Sequence, residues 1–349
     1  MRAVRPVAGA RGRVSRLPSP VAPAERPPLA GFAIVILAAS LFGTLGPLSR
    51  FAYDAGMVPT TFVAWRGVIA FIGAGAFVAW RVSRGTERRT RLSDLGTTAR
   101  ITLAVAALSG FVLNLSMFIA FDLISVALAL LVFYTYPVMV AVANVALGRE
   151  SMDRSRVVAL ALAVLGMVAV VATQLDPASG VRVDPVGMGL ALAAAASQAV
   201  FVLISKSGYP QVPASQAMTV IIGTIAVCST ALALAMGAGD GLLLPLRDPS
   251  ILPLLLFTGL FAAAIPSILF LTGIRLVGGT RAGILMLFEP VVGVTLAAVL
   301  LDEGLAPIQV AGGVAILAAA LILQRSAGAG GGRVVAAPAI EADEAAAVP

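Results

Sequence analysis

Ten apolar segments, each close to twenty residues long, follow one another along this chain with short polar links between them. They run over 30–50, 58–80, 101–121, 125–147, 156–174, 186–206, 215–237, 251–274, 281–301 and 306–324. A helix needs about 20 apolar residues to cross about 30 Å of hydrocarbon, where every backbone N–H and C=O must be satisfied within the segment. Stretches such as LALAVLGMVAVV show no apolar/polar alternation, which excludes a membrane β-barrel. With 59% apolar residues, 12% charged and a mean hydropathy of +1.00, the chain carries too much apolar surface for a soluble globule or a disordered protein. Cys228 is the single cysteine, so no disulfide framework exists. The expected fold class is an all-α integral membrane protein of ten transmembrane helices.

Charge sets the expected orientation. The net charge is +7, from 24 Lys/Arg against 17 Asp/Glu, with no histidine. That balance in a soluble protein points to nucleic acid. Here the basic residues cluster between the apolar runs: twenty fall on the side of the N-terminus, against Arg50, Arg182 and Arg247 on the other, with Arg66 inside a span. The positive-inside rule then puts both termini in the cytoplasm. The expected location is the plasma (inner) membrane, as a multi-pass chain. Residues 1–28 (Pro/Ala/Arg-rich) and 326–349 (Gly/Ala-rich) read as disordered cytoplasmic tails.

Between the tails the chain repeats itself at an offset of 153–156 residues. Arg50 matches Lys206, Val58-Pro59 matches Val212-Pro213, and Pro137 matches Pro290. Each of these two prolines is followed thirteen residues later by a glutamate, Glu150 and Glu303. The repeats occupy 29–176 and 184–325 and hold five spans each. An odd number makes the second half enter from the opposite side, so the halves form an inverted repeat, the architecture of secondary transporters that expose one central site alternately.

Three stretches carry a family resemblance: Arg66 in FVAWRGVIAF, TYPVMVAVANVALGRE ending at Glu150, and LFEPVVGVTLAAVLLDE ending at Glu303. They resemble the drug/metabolite transporter superfamily, and within it the EamA type with two five-span repeats. The resemblance implies a transporter without naming its cargo. It departs from the family in the first span of each repeat, where a Trp-Gly or Trp-Ala pair is replaced by Phe42-Gly43 and Gln198-Ala199.

Ionisable residues inside a bilayer cost about 2.5–3.5 kcal/mol on insertion scales and mark function by default. Two qualify. Arg66 and Glu289 each lie about nine residues into their spans, from opposite faces, so their levels differ by about 5 Å at about 1.5 Å per residue. They either neutralise each other or, with Arg66 bound to backbone carbonyls, fix the bundle without touching cargo; or they serve transport, Glu289 as a cation or proton site or Arg66 as a partner for a substrate carboxylate. Asn114, Tyr134 and Gln198 are the expected polar groups of a cavity among spans three, four, six and nine, with Thr135, Tyr136 and Ser197 nearby. Pro137 and Pro290 each remove a backbone hydrogen bond in mid-span and are read as gating kinks. Glu150 and Glu303, at span ends, are expected to cap or pair.

No Walker sequence, histidine or acid cluster is present, so no catalytic or metal site and no cofactor is expected. The expected function is a secondary transporter, read as an exporter, moving a small metabolite, amino acid or drug-like compound by alternating access. The alternatives are a non-transporting scaffold or sensor and a lipid-modifying membrane enzyme. Expected partners are a small-molecule substrate, protons as one coupling ion, and the lipid bilayer, with a homodimer left open and no nucleic acid.

Overall fold

A computed structural model describes residues 29–124, 126–172, 184–300 and 306–329. Among these the chain is helical, with no strand. The first crossing is two helices, α1 (Leu29–Gly43) and α2 (Leu45–Asp54). Single helices α3 (Pro59–Ser83) and α4 (Thr97–Leu123) follow. The fourth crossing is again two pieces, α5 (Val126–Phe133) and α6 (Tyr136–Ala146), and α7 (Arg154–Ala172) ends the first half. The second half begins with α8 (Pro185–Ser205) and α9 (Ala214–Ala235), joined by a short amphipathic helix α10 (Gly239–Arg247) to the eighth crossing. That crossing runs through α11 (Leu252–Gly259), a π-helical turn (Leu260–Ala264) and α12 (Ile265–Val277). The ninth is α13 (Gly279–Met286) plus α14 (Glu289–Leu300), and α15 (Pro307–Ala329) is the tenth.

Seven helical segments among the described residues are long and apolar enough to cross a bilayer by themselves. The first and tenth crossings carry shorter apolar helices, Leu29–Gly43 and Pro307–Leu323, and turns interrupt the first crossing at Thr44, the fourth at Tyr134 and Thr135, and the ninth at Leu287 and Phe288. Prolines open α3, α8 and α15, where a missing N–H costs nothing, and the Asp184 carboxylate caps α8 by accepting from the Gly187 N–H at 2.9 Å. Most boundaries shift by a few residues from the sequence expectation, and two shift to extend a crossing at its end. The first crossing continues to Asp54, and α15 continues past Arg325 to Ala329, so those last residues are helix rather than tail.

The bundle is assembled from cross-repeat pairs. Crossing one packs on eight, three on six, two on seven, four on nine and five on ten. Exchanging the two halves turns the first pair into the second and leaves the other three unchanged, as a two-fold axis requires. Every pair is antiparallel. Gly31 meets Val277 while Gly273 meets Val35, and Gly67 meets Ala226 while Gly223 meets Phe71. Gly187 meets Ile124 while Gly208 meets Thr102, and Gly166 meets Gly312 while Gly312 reaches Val170. Parallel repeats would run crossings two and seven the same way. Antiparallel pairing makes the repeat inverted, with its axis in the membrane plane.

Small residues set how closely these helices approach, since apolar surface alone drives little association in lipid. A methyl on Gly312 would lie 2.4 Å from the Gly166 carbonyl oxygen, and one on Gly166 would lie 2.7 Å from that of Gly312. The α7–α15 contact is therefore backbone on backbone.

Candidate functional site

The breaks in crossings four and nine are two copies of one device. At the first, Thr135 N–H bonds Val132 C=O (3.2 Å), Val138 N–H bonds Thr135 C=O (3.1 Å) and Met139 N–H also reaches Thr135 C=O (3.2 Å). At the second, Phe288 bonds Leu285 (3.1 Å), Val291 bonds Phe288 (3.1 Å) and Val292 bonds Phe288 (3.3 Å). Each bond in one half has its counterpart 153 residues away in the other. Pro137 and Pro290 are the reason. Neither can donate the N–H that would continue the upstream helix, and both sit in the first turn of the downstream one. At each proline the regular α-helix is interrupted by a turn of i→i−3 bonds, after which the half-helices α6 and α14 begin at the middle of the bundle.

That register places Tyr136 and Glu289 at equivalent positions, the first residue of each half-helix. Around them lie Phe133 and Tyr134 from the same break, and Gln198 from α8. Phe133 packs on Tyr134 and Tyr136 at ring separations of 5.3 and 5.2 Å, and the two tyrosine rings are 6.4 Å apart. Both tyrosines are fully buried, and Gln198 is buried beside the Tyr136 hydroxyl. The Tyr134 hydroxyl faces the Glu289 carboxylate without the geometry of a completed hydrogen bond. Glu289 itself is only partly buried. Its carboxylate stands at the N-terminus of α14, where the helix dipole favours an anion by about 0.3–1 kcal/mol.

Gly43 brings the first crossing onto this site. It ends α1 against the Glu289 carbonyl, which a methyl there would meet at 2.6 Å. On the other side Gly283 of α13 fits against Pro137 and Tyr136. Asn144 of α6 donates from Nδ2 to the Thr280 hydroxyl of α13 at 3.1 Å, a buried bond between the halves.

Arg66 forms a second polar cluster rather than joining the first. Buried in α3, its guanidinium donates from Nη2 to Asn114 Oδ1 of α4 and lies 5.2 Å from the centre of the Phe118 ring. Asn114 is held in turn by its own Nδ2 donating to Gly110 C=O at 2.8 Å. Tyr53 of α2 lies close enough to sense the charge. The Arg66 Nε is buried without a hydrogen-bond partner. Among the described residues no ion pair joins Arg66 to Glu289, so the mutual neutralisation allowed by their similar depth is not formed in this conformation. Beside the cluster a small apolar cavity is lined by Val63, Phe118 and Leu232 among others, with the buried Ser229 hydroxyl unpartnered.

At the basic end of the bundle a polar cluster joins the halves. Glu150 pairs with Lys206 at 3.6 Å and Arg156 at 3.8 Å, and stands against Gly278. Gly278 turns the chain from α12 into α13 at φ +89°, a conformation that disfavours any side chain. Arg275 donates from Nη1 to Val212 C=O at 2.7 Å and lies 5.3 Å from the Tyr209 ring, whose phenol burial pushes above its ordinary value. The expectation that Glu150 pairs at its span end is thus realised geometrically. Glu303 lies outside the described residues.

The sequence singled out Arg66, Asn114, Tyr134, Gln198 and Glu289 for substrate binding or coupling, and the structure places them in two groups. Glu289, Tyr134 and Gln198 meet at the half-helix starts, while Arg66 and Asn114 meet between α3 and α4. Phe118 and the Asn144–Thr280 bond were not singled out, and Tyr136 was named only as a neutral polar group at membrane depth. Its place opposite Glu289 was readable, since the 153-residue offset makes the two counterparts. Among the described residues no group of three or more His, Cys, Asp or Glu could hold a metal ion.

Comparison with known proteins agrees with this architecture. No curated protein matches the chain. A solved crystal structure, titled only as that of a protein, is similar at 17% sequence identity, with a TM-score of 0.67 over 85% of this chain and 98% of that one. At that identity the likeness shows the fold alone. The model of the EamA-like transporter family matches twice, over residues 29–172 and 185–325. With both halves matched and most of its length covered, the chain belongs to the EamA-like transporter family, a group of membrane transporters of small substrates.

Proposed function

We propose that the protein is a secondary transporter that exports a small metabolite, amino acid or drug-like compound across the plasma membrane by alternating access, with both termini in the cytoplasm. The observation that carries this reading is the pair of symmetry-related broken helices meeting at mid-bundle with one carboxylate, Glu289, between them. Discontinuous helices at the interface of inverted repeats create polar backbone ends at membrane depth, where a substrate or ion is bound without leaving hydrocarbon-exposed groups unsatisfied.

The symmetry is broken chemically at one position. Tyr136 presents a neutral phenol where the other half presents Glu289, so the site has a single anionic group. Glu289 is our candidate for holding a proton or a cationic group of the substrate. Tyr134 is placed to donate to its carboxylate, and Gln198 and Tyr136 offer further polar contacts. Arg66, oriented by Asn114 and Phe118, is the candidate partner for a substrate carboxylate. Pro137 and Pro290 are assigned to gating, because they define where each half-helix swings free of its neighbour.

The twenty-to-three excess of Lys/Arg supports the basic end as cytoplasmic. With Glu150 paired to Lys206 and Asn144 to Thr280, that end is closed, as expected for a state open toward the outside.

The test is reconstitution into proteoliposomes loaded with a panel of amino acids, other metabolites and amphiphilic drugs, with and without an imposed pH gradient. Protein-dependent flux of a panel member is expected, and its dependence on the gradient's sign reports direction and coupling. Lipid turnover without any flux would contradict the proposal and favour an enzyme.

A further inference from the structure

The basic end of α3 carries an exposed aromatic and cationic face that the transport reading does not use. Phe77 and Trp80 stack with ring centres 6.0 Å apart and planes 28° from parallel. The Arg81 guanidinium lies 5.7 Å from the Phe77 ring centre, and that of Arg84 lies 5.9 Å from Trp80. Trp80 is 54% exposed, so this face points away from the bundle. Its depth follows from the helix. Trp80 is 21 residues beyond Pro59, which opens α3, a rise of about 32 Å against about 30 Å of hydrocarbon. The pair therefore stands at headgroup level, where tryptophan is favoured.

The link that follows is pinned in place. The Glu87 carboxylate pairs with Arg81 at 3.0 Å and accepts from the Ser215 hydroxyl at 2.7 Å and from Gln216 Nε2 at 2.7 Å, both at the start of α9. Gln216 Nε2 also donates to Arg88 C=O at 2.7 Å, and its Oε1 accepts from Thr90 N–H at 2.9 Å. Glu87 is thereby engaged, while Arg84, Arg88 and Arg89 stay exposed on a fixed backbone beside the aromatic pair. An aromatic pair at headgroup level beside three guanidiniums that form no ion pair among the described residues matches one kind of occupant.

We propose that Phe77, Trp80 and Arg84, with Arg88 and Arg89, form a binding site for the phosphate headgroup of an anionic phospholipid. The aromatic pair packs against the glycerol and upper acyl region, and the guanidiniums take the phosphate. The site is independent of the substrate pathway, so it stands whether or not the transport reading holds.

The experiment is native mass spectrometry of the full chain released from neutral detergent, titrated with phosphatidylglycerol or with phosphatidylcholine of the same acyl chains. Wild type is expected to retain phosphatidylglycerol preferentially. Affinity should fall about fivefold for each of Arg84→Ala, Arg88→Ala and Arg89→Ala. Trp80→Ala should weaken retention less, and Arg247→Ala, at the opposite end of the bundle, should leave it unchanged. All five positions are exposed, and matched melting temperatures establish that the variants are folded. Equal retention of the two lipids, or equal retention of phosphatidylglycerol by wild type and all three single arginine variants, would overturn the proposal. Displacement of the lipid by millimolar inorganic phosphate would also overturn it, because the site would then serve a soluble anion.

Discussion

Replacing Gly43 with alanine adds one methyl at the tightest contact between the first crossing and the site. That methyl would stand 2.6 Å from the Glu289 carbonyl oxygen and 2.9 Å from Val292 Cβ. Both obstacles belong to the rigid first turn of α14, so neither can rotate away like the end of a flexible side chain. α1 and α14 must separate by several tenths of an ångström. Forcing extra volume into a packed interface costs about 1–3 kcal/mol. The cost falls on the half-helix that carries Glu289, and the separation moves the carboxylate relative to Tyr134, which is anchored on α5–α6. Gly189, exposed in α8, is the control, since a methyl there meets nothing within 4 Å. Gly189→Ala should be neutral or stabilising by up to about 1 kcal/mol from helix propensity alone. The assay pairs thermal unfolding in a single detergent with flux in proteoliposomes. Gly43→Ala should melt lower and transport more slowly, with Gly189→Ala at or above wild type in both. Indistinguishable behaviour of the two variants would refute the close approach of α1 to α14 and the coupling inferred from it.

Three further outcomes are expected. Glu150→Gln should loosen the closed end, so that a probe cysteine at buried Val140, in a Cys228→Ser background, reacts faster with maleimide; an unchanged labelling rate would remove the Glu150–Lys206 pair from any role in closure. Asn114→Leu should destabilise by about 1–3 kcal/mol, because it leaves the buried Arg66 guanidinium without its acceptor. Adding Arg66→Met to Asn114→Leu should recover much of that loss, since removing both partners spares the buried charge, and a double variant less stable than the single would contradict the pairing.

The repeat and the ten crossings were legible because both rest on patterns that survive without tertiary information. Segment length fixes what can span the bilayer, and residue identities at constant offset reveal the duplication. The Pro137/Pro290 match located the two breaks but not their nature. A proline in an apolar run reads as a kink; the three matched hydrogen bonds in each half add that the helix there passes through a turn of i→i−3 bonds. The π-helical turn Leu260–Ala264 left no sequence signal at all, since LFAAA is an unremarkable apolar stretch.

The candidate site was half legible. Arg66 and Glu289 stand out as charges at membrane depth, but depth says nothing about which helices adjoin. Arg66 faces α4 and Glu289 faces α5–α6, so similar levels do not bring them together. In Phe42-Gly43 the tryptophan of the family's pair is replaced and the glycine kept. Gly43 is where the backbone of α1 closes on the Glu289 carbonyl, a role visible only once α14 is in place.

The central claim is that Glu289 is the single anionic group at which substrate or coupling proton binds. It is tested most directly by comparing initial rates of flux for wild type and Glu289→Gln in the same proteoliposomes at matched protein density. The glutamine keeps the shape and can still accept from Tyr134, so the variant should fold and melt like wild type while flux falls to the protein-free background. Flux undiminished in a correctly folded Glu289→Gln protein would contradict the claim.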